Sequence, residues 1–294
     1  MSQTQGTIRN IPVDLCLLFD ATESMQSIIY ATINEFNDLT FDLKIHNRHA
    51  DFKYGAVVFR DPVDWKEPPQ SQPADNYILE LINDAEVREK EERKQKLIGI
   101  GLWDEELENL KESYKTNVDR IKYPINQNRT IEFDGSTETI ISELMKVECG
   151  GGNDDPEDWN GAIECALNMD WRDGSKRCII IISDANAHGK RFCGFDNHNE
   201  EENKLINAVK KLAEEKYYII GINVMKGDDK GCMKTLQEMK DIYETNNGKS
   251  FVIEEFKPVY DEDLFGEDNW PQDVFDDFIN TIQKSFTNLG NFDD

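Results

Sequence analysis

Val13-Asp14-Leu15-Cys16-Leu17-Leu18-Phe19-Asp20-Ala21-Thr22-Glu23-Ser24 joins a short apolar run to a hydroxyl-rich turn. The run has strand length and holds neither glycine nor proline, the pattern of a strand buried on both faces of a parallel sheet. It stops at an acid followed by two hydroxyl residues, in the form Asp20-x-Thr22-x-Ser24. In an open α/β sheet, ligands are held by the loops at the carboxyl ends of strands. The stretch therefore points to a fold and to a site at once.

Outward from this stretch, helical and strand patterns alternate. Residues 25–46 are predicted as helix, because Ile28, Ile29, Ile33, Phe36, Leu39 and Leu43 recur at steps of three and four. A second strand is expected at 52–59, ending before Pro62, and a short third one at 130–133. A helix follows Ser136, and another carries Trp159, Ala162, Ile163, Ala166 and Leu167 on one face. The isoleucine run after Cys178 is the most plainly buried strand, and it ends at Ser183-Asp184. A helix at 205–215, a strand at 217–224, a helix at 233–243 and a strand at 250–253 complete the alternation. The last helix starts near Pro271 and lines up Val274, Phe278, Ile282 and Phe286. This order calls for an α/β, doubly wound, mostly parallel Rossmann-like sheet covered on both sides.

One segment interrupts the pattern. Pro68, Pro69 and Pro73 mark an irregular stretch, and two amphipathic helical patterns separated by Ile98-Gly99-Ile100-Gly101 follow it. The expectation is one domain over 11–286, interrupted by an inserted helical hairpin at about 66–128, with a tail at 287–294. The mixed-sign run 88–96 reads as a solvated helix face.

Composition excludes several classes. Against 33 basic residues stand 59 acidic ones, a net charge of −26, which repels phosphate backbones and anionic membranes. Neither nucleic acid nor membrane insertion is expected. The first residues carry neither a basic nor an apolar leader segment, and six scattered cysteines without CxxC pairs read as thiols of a reducing compartment. A cytoplasmic location is the expectation.

Two buried strands thus end in acids, Asp20 and Asp184, and between them lies a glycine-rich acidic loop, Gly150-Gly151-Gly152-Asn153-Asp154-Asp155-Pro156-Glu157. Hydroxyl and carboxylate oxygens converging at one end of a sheet suit a hard cation, with Mg²⁺ favoured and Mn²⁺ or Ca²⁺ as alternatives. The order of motifs resembles the von Willebrand factor A domain, whose metal-ion-dependent adhesion site begins Asp-x-Ser-x-Ser after the first strand. Threonine here replaces the first serine and keeps the hydroxyl. The Gly150–Glu157 block, with Gly161-Ala162-Ile163 and His188-Gly189, is similar to the intracellular branch that includes the module of alpha-type protein kinases. The resemblance spans roughly 11–60 and 129–286 and implies that Asp20, Thr22, Ser24, Asp154 and Asp184 hold Mg²⁺. It also implies a partner protein whose acidic side chain completes the shell, and no enzymatic activity. The middle loop lacks the threonine that many members use, so Asp154, Asp155 and Glu157 are its available oxygens; Asp154 aligns best.

Other readings compete. Thr22 or Ser24 capping the next helix would account for those hydroxyls alone. An apolar strand ending in Asp-x-Thr also resembles haloacid-dehalogenase-like phosphatases with Asp20 as nucleophile. A scaffold of the same fold, binding through the helical insertion without metal, is the third reading. His188, Cys193 and His198 carry zinc-capable side chains on one polar loop, but zinc is not the expected ligand.

Overall fold

Strand β1 (Ile11–Asp20) lies inside a sheet rather than at its edge. The computed structural model describes residues 10–60, 128–147, 149, 156–196, 198–225, 230–258 and 272–288. In it β1 pairs in parallel with β2 (Ala50–Phe59) on one side. β3 (Arg129–Asp134) pairs with β2 in the antiparallel sense. On its other side β1 pairs in parallel with β4 (Lys176–Ser183), and β5 (Tyr218–Val224) and β6 (Ser250–Phe256) continue the parallel sheet. Among the described residues the order is β3-β2-β1-β4-β5-β6. The chain winds outward from β1 to β3, then returns beside β1 and winds out to β6. Its direction of winding reverses between β1 and β4, where an open α/β sheet leaves a crevice at the carboxyl ends.

The described helices are α1 (Gln26–His46), α2 (Thr137–Leu144), α3 (Trp159–Leu167), α4 (Asn199–Glu214), α5 (Met233–Thr245) and α6 (Gln272–Asn288). They cover both faces of the sheet because successive strand residues point to opposite sides. Val13, Leu15, Leu17 and Phe19 of β1 share one core with Ile28 and Phe36 of α1, Ile140 of α2 and Phe278 of α6. Cys16 and Leu18 belong to the other, with Trp159 of α3, Val209 of α4 and Leu236 of α5. The same split divides β4, with Ile180 and Ile182 on one side and Ile179 and Ile181 on the other. Each such fully buried side chain is worth about 1.5–3 kcal/mol relative to exposure.

One charge is buried on purpose inside β1. Asp14 accepts Arg172 Nε at 2.6 Å and the Arg172 amide at 2.8 Å, and Arg172 Nη2 also donates to the carbonyls of Val13 and Asp51. The buried carboxylate is thus paired and hydrogen-bonded, as burial of a charge demands.

Several boundaries differ from the periodicity. α4 starts at Asn199, ahead of the apolar residues that announced it, because its first turn is polar and acidic. β6 runs on to Phe256 through Glu254 and Glu255, charges that an edge strand tolerates. β2, expected from Phe52, begins at Ala50. The helical insertion expected at about 66–128 lies outside the described residues except for Asn128, and so does the tail beyond Asn288. Among the described residues no helix is long and apolar enough to cross a membrane.

Candidate metal centre

Asp20 is the last residue of β1 and is 0 % exposed. Its Oδ1 accepts the Thr22 amide at 3.0 Å and the Thr22 hydroxyl at 2.8 Å. Its Oδ2 accepts the hydroxyl of Ser183, the last residue of β4, at 2.7 Å. Ser183 Oγ is itself held by the Ala185 amide at 3.1 Å. Thr22 Oγ1 lies 3.1 Å from Ser24 Oγ. Since the threonine proton goes to Asp20, the serine hydroxyl is the donor in that pair. Three oxygens from Asp20, Thr22 and Ser24 are therefore gathered in one turn.

The turn is fixed from outside as well. The Ala21 amide donates to the Phe59 carbonyl at 2.9 Å, and Arg60 Nε donates to the Ala21 carbonyl at 2.9 Å. Met25 stands at the N-cap of α1 without a side-chain cap bond, and its amide takes the Thr22 carbonyl. The Thr22 hydroxyl turns toward Asp20 rather than toward the helix amides.

Asp184 follows β4 directly and is half-buried. Burial, and after it the Asp184 carboxylate, push the Asp20 carboxyl up to about 6, against the Thr22 amide and the Ser183 and Thr22 hydroxyls, which pull it down. Burial and the same two acids also push the Cys232 thiol well up, and its Sγ donates to the Ser183 carbonyl at 3.1 Å. That sulfur is a packed, un-ionised thiol rather than a soft metal ligand.

The middle loop reaches this end of the sheet through its last residues. The Glu157 amide donates to the Asn186 carbonyl at 2.8 Å in an isolated parallel bridge between Glu157 and Ala187. Trp159 Nε1 donates to the Ala185 carbonyl at 3.1 Å. The segment after Asp184 is thus the common neighbour of the β1 turn and of the loop's end. Asp154 and Asp155 lie outside the described residues; the Glu157 side chain is buried.

These residues fit a Mg²⁺ ion on two counts. Oxygens at neighbouring positions of an octahedral Mg²⁺ stand about 3 Å apart, given bonds of about 2.1 Å. The 2.8 Å and 3.1 Å separations within the Asp20–Thr22–Ser24 group match that spacing. A second carboxylate, Asp184, that helps raise the Asp20 carboxyl also marks a place where positive charge is favourable.

A second polar cluster was only partly anticipated. His188 Nδ1 lies 3.1 Å from Asp196 Oδ2, and His198 Nδ1 lies 2.5 Å from Asp196 Oδ1. The Gly189 amide donates to Asp196 Oδ2 at 2.6 Å. Burial alone would raise the Asp196 carboxyl, but the Gly189 amide and the two imidazoles outweigh it and hold it at about 2. Cys193, grouped with the histidines on sequence, is not among the three residues whose ligand atoms converge; Asp196 is. Ser183 and Asp196 were the residues sequence reasoning missed. For Ser183 the only signal was a hydroxyl closing an isoleucine run, and for Asp196 an acid two residues before a histidine.

No family model matches the sequence. Over 67 residues it is 36% identical to "Alpha-protein kinase vwkA" of Dictyostelium discoideum, a match spanning 23% of this chain and 11% of that protein. Among solved structures, the SpRpn10 VWA domain superposes with a TM-score of 0.43 at 11% identity, over 85% of this chain and 90% of that one. The pilus adhesin SpaC of Lactobacillus rhamnosus GG gives 0.48 at 11% identity, over 94% of this chain and 30% of that one. Likeness at this level does not itself assign the fold; the strand order does. By that order, with the Asp-x-Thr-x-Ser turn at its switch point, the chain is a doubly wound α/β domain, and its local sequence match is to a small part, 11%, of a much longer protein.

Proposed function

We propose that this domain is a metal-ion-dependent protein-interaction module in which Asp20, Thr22, Ser24, Asp154 and Asp184 hold Mg²⁺. The observation that carries the reading is the oxygen cluster of Asp20, Thr22 and Ser24 at the switch point, with Asp184 on the neighbouring strand end. When bound, Mg²⁺ would supply a Lewis-acidic position that a carboxylate of a partner protein can fill. The chain's own residues do the positioning. Ser183 fixes the Asp20 carboxylate, the Thr22 amide and hydroxyl orient its other oxygen, and the Phe59 carbonyl and the Arg60 side chain hold the turn still through the Ala21 backbone. Neutral hydroxyls bring oxygen without charge, so the ion keeps its demand for an acidic ligand.

The phosphatase alternative fits the geometry less well. A nucleophilic carboxylate must reach a phosphoryl group in line, whereas Asp20 is fully buried with both oxygens engaged. An interaction module, not an enzyme, is the better reading, in keeping with an acidic composition that disfavours nucleic-acid and anionic-membrane partners. The immobilised chain tests it by affinity capture in Mg²⁺, in EDTA, and with Thr22→Ala in Mg²⁺. Proteins retained in the first condition alone support the proposal. An identical retained set in all three favours the metal-independent scaffold.

A further inference from the structure

We propose that His188, Asp196 and His198 form a second metal centre, for a first-row transition ion of the Zn²⁺ class, sharing no ligand with the Asp20 site. Ligand atoms of these three residues all lie within 4.8 Å of one another, the one such His/Cys/Asp/Glu group among the described residues. Two imidazoles and a carboxylate are the donors of three-ligand zinc sites that leave a fourth position to water or a partner group. Imidazole nitrogen also discriminates against Mg²⁺, which prefers oxygen, so the two sites would sort their ions by donor chemistry.

The ligands are held before any ion arrives. The Phe192 and Cys193 amides both donate to the Gly189 carbonyl, and the Asp196 amide donates to the Cys193 carbonyl, which folds the segment into tight successive turns. Phe192 and Cys193 are buried, so the turn is pinned to the protein interior, and α4 begins immediately after His198. Gly189 has φ 106°, and a Cβ there would stand 2.4 Å from the Glu202 Cβ. Only glycine lets the chain turn here and aim its amide at Asp196. Little ordering entropy is left to oppose binding.

Spacing fits as well. Ligand atoms of a tetrahedral ion with bonds of about 2.0–2.1 Å stand about 3.3 Å apart. The present nitrogen–oxygen separations of 3.1 Å and 2.5 Å are those of the hydrogen-bonded, proton-filled form, with each imidazole N–H donating to Asp196. Loading moves each ring proton from Nδ1 to Nε2 or to solvent and draws ligand atoms that now lie within 4.8 Å of one another to that spacing, a shift of up to about 1.5 Å. His198 can supply it, because its side chain is 51 % exposed while His188 and Asp196 are fixed by burial.

The competing reading is a His–Asp–His hydrogen-bond network that never binds metal. Titration of the chelator-stripped full chain with Zn²⁺, under saturating Mg²⁺, separates the two, with Co²⁺ absorption as a spectroscopic probe. The expected result is one equivalent of Zn²⁺ bound by wild type and by Asp20→Ala alike. His198→Ala and Asp196→Asn should each weaken it by about 100-fold or more, since even outer-shell partners of such ligands cost about 10–100-fold. His198→Ala removes a half-exposed ring and keeps the fold, which thermal unfolding verifies. Unchanged Zn²⁺ affinity and Co²⁺ absorption in His198→Ala, or no binding by wild type, would overturn the proposal. Loss of Zn²⁺ in Asp20→Ala would overturn the independence of the two sites.

Discussion

At the scale of single residues, Ser183 determines how firmly Asp20 is held. It is fully buried, and its hydroxyl is the partner of Asp20 Oδ2. Ser183→Ala leaves that oxygen unsatisfied in a dry place, at a cost of about 1–3 kcal/mol. Equilibrium urea unfolding should read that loss, and a change under about 0.5 kcal/mol would show that Asp20 finds another partner. Asp20, Thr22 and Ser24 were legible because they sit within one turn of sequence, where spacing alone brings their oxygens together. Ser183 was not, since its bond to Asp20 joins residues 163 positions apart and depends on β1 and β4 becoming neighbours. The same limit hid Asp196, whose role follows from how the loop after Gly189 closes on itself.

Between elements, close approach is set by what a strand lacks. Gly221 lies in β5 under α5, and a Cβ there would stand 2.4 Å from Leu236 Cδ2, with Cδ1 at 3.1 Å. Gly221→Ala therefore forces Leu236 off its rotamer and is expected to cost about 1–3 kcal/mol, the usual penalty for overpacking. Leu236→Ala removes the obstacle, so the double variant should be more stable than the sum of the single effects, by about 0.5–3 kcal/mol of coupling. Strict additivity in unfolding experiments would contradict this account of the β5–α5 contact. Elements with a strong apolar period, such as α1 and the isoleucine strand β4, could be read from sequence almost to their ends. Boundaries were lost where polar residues carry the element. The acidic first turn of α4 gains from the helix dipole, and the end of β6 carries two edge charges, the half-buried Glu254, paired with Lys284 at 3.0 Å, and the exposed Glu255. The antiparallel sense of β3 could not be read either, because alternation along a strand is the same in both directions.

Over the whole molecule, doubly wound topology and charge act together. The reversal of winding between β1 and β4 puts the two acid-tipped strands side by side, a consequence of strand order rather than of any local motif. Alternation of strands and helices made that architecture legible, while the path through 61–127 lies outside the described residues. A net charge of −26 draws divalent cations to the entire surface, so weak, non-saturating Mg²⁺ association is expected of any variant. Screening at about 0.15 M salt reduces that background and leaves a coordinated ion largely unaffected. The most direct measurement is calorimetric titration of Mg²⁺ into the chelator-stripped chain at that ionic strength, for wild type and for Asp20→Ala. The account predicts one saturable binding event in wild type and only the weak background in Asp20→Ala, with both proteins unfolding cooperatively. The same saturable isotherm in both, or no saturable event in wild type, would contradict it.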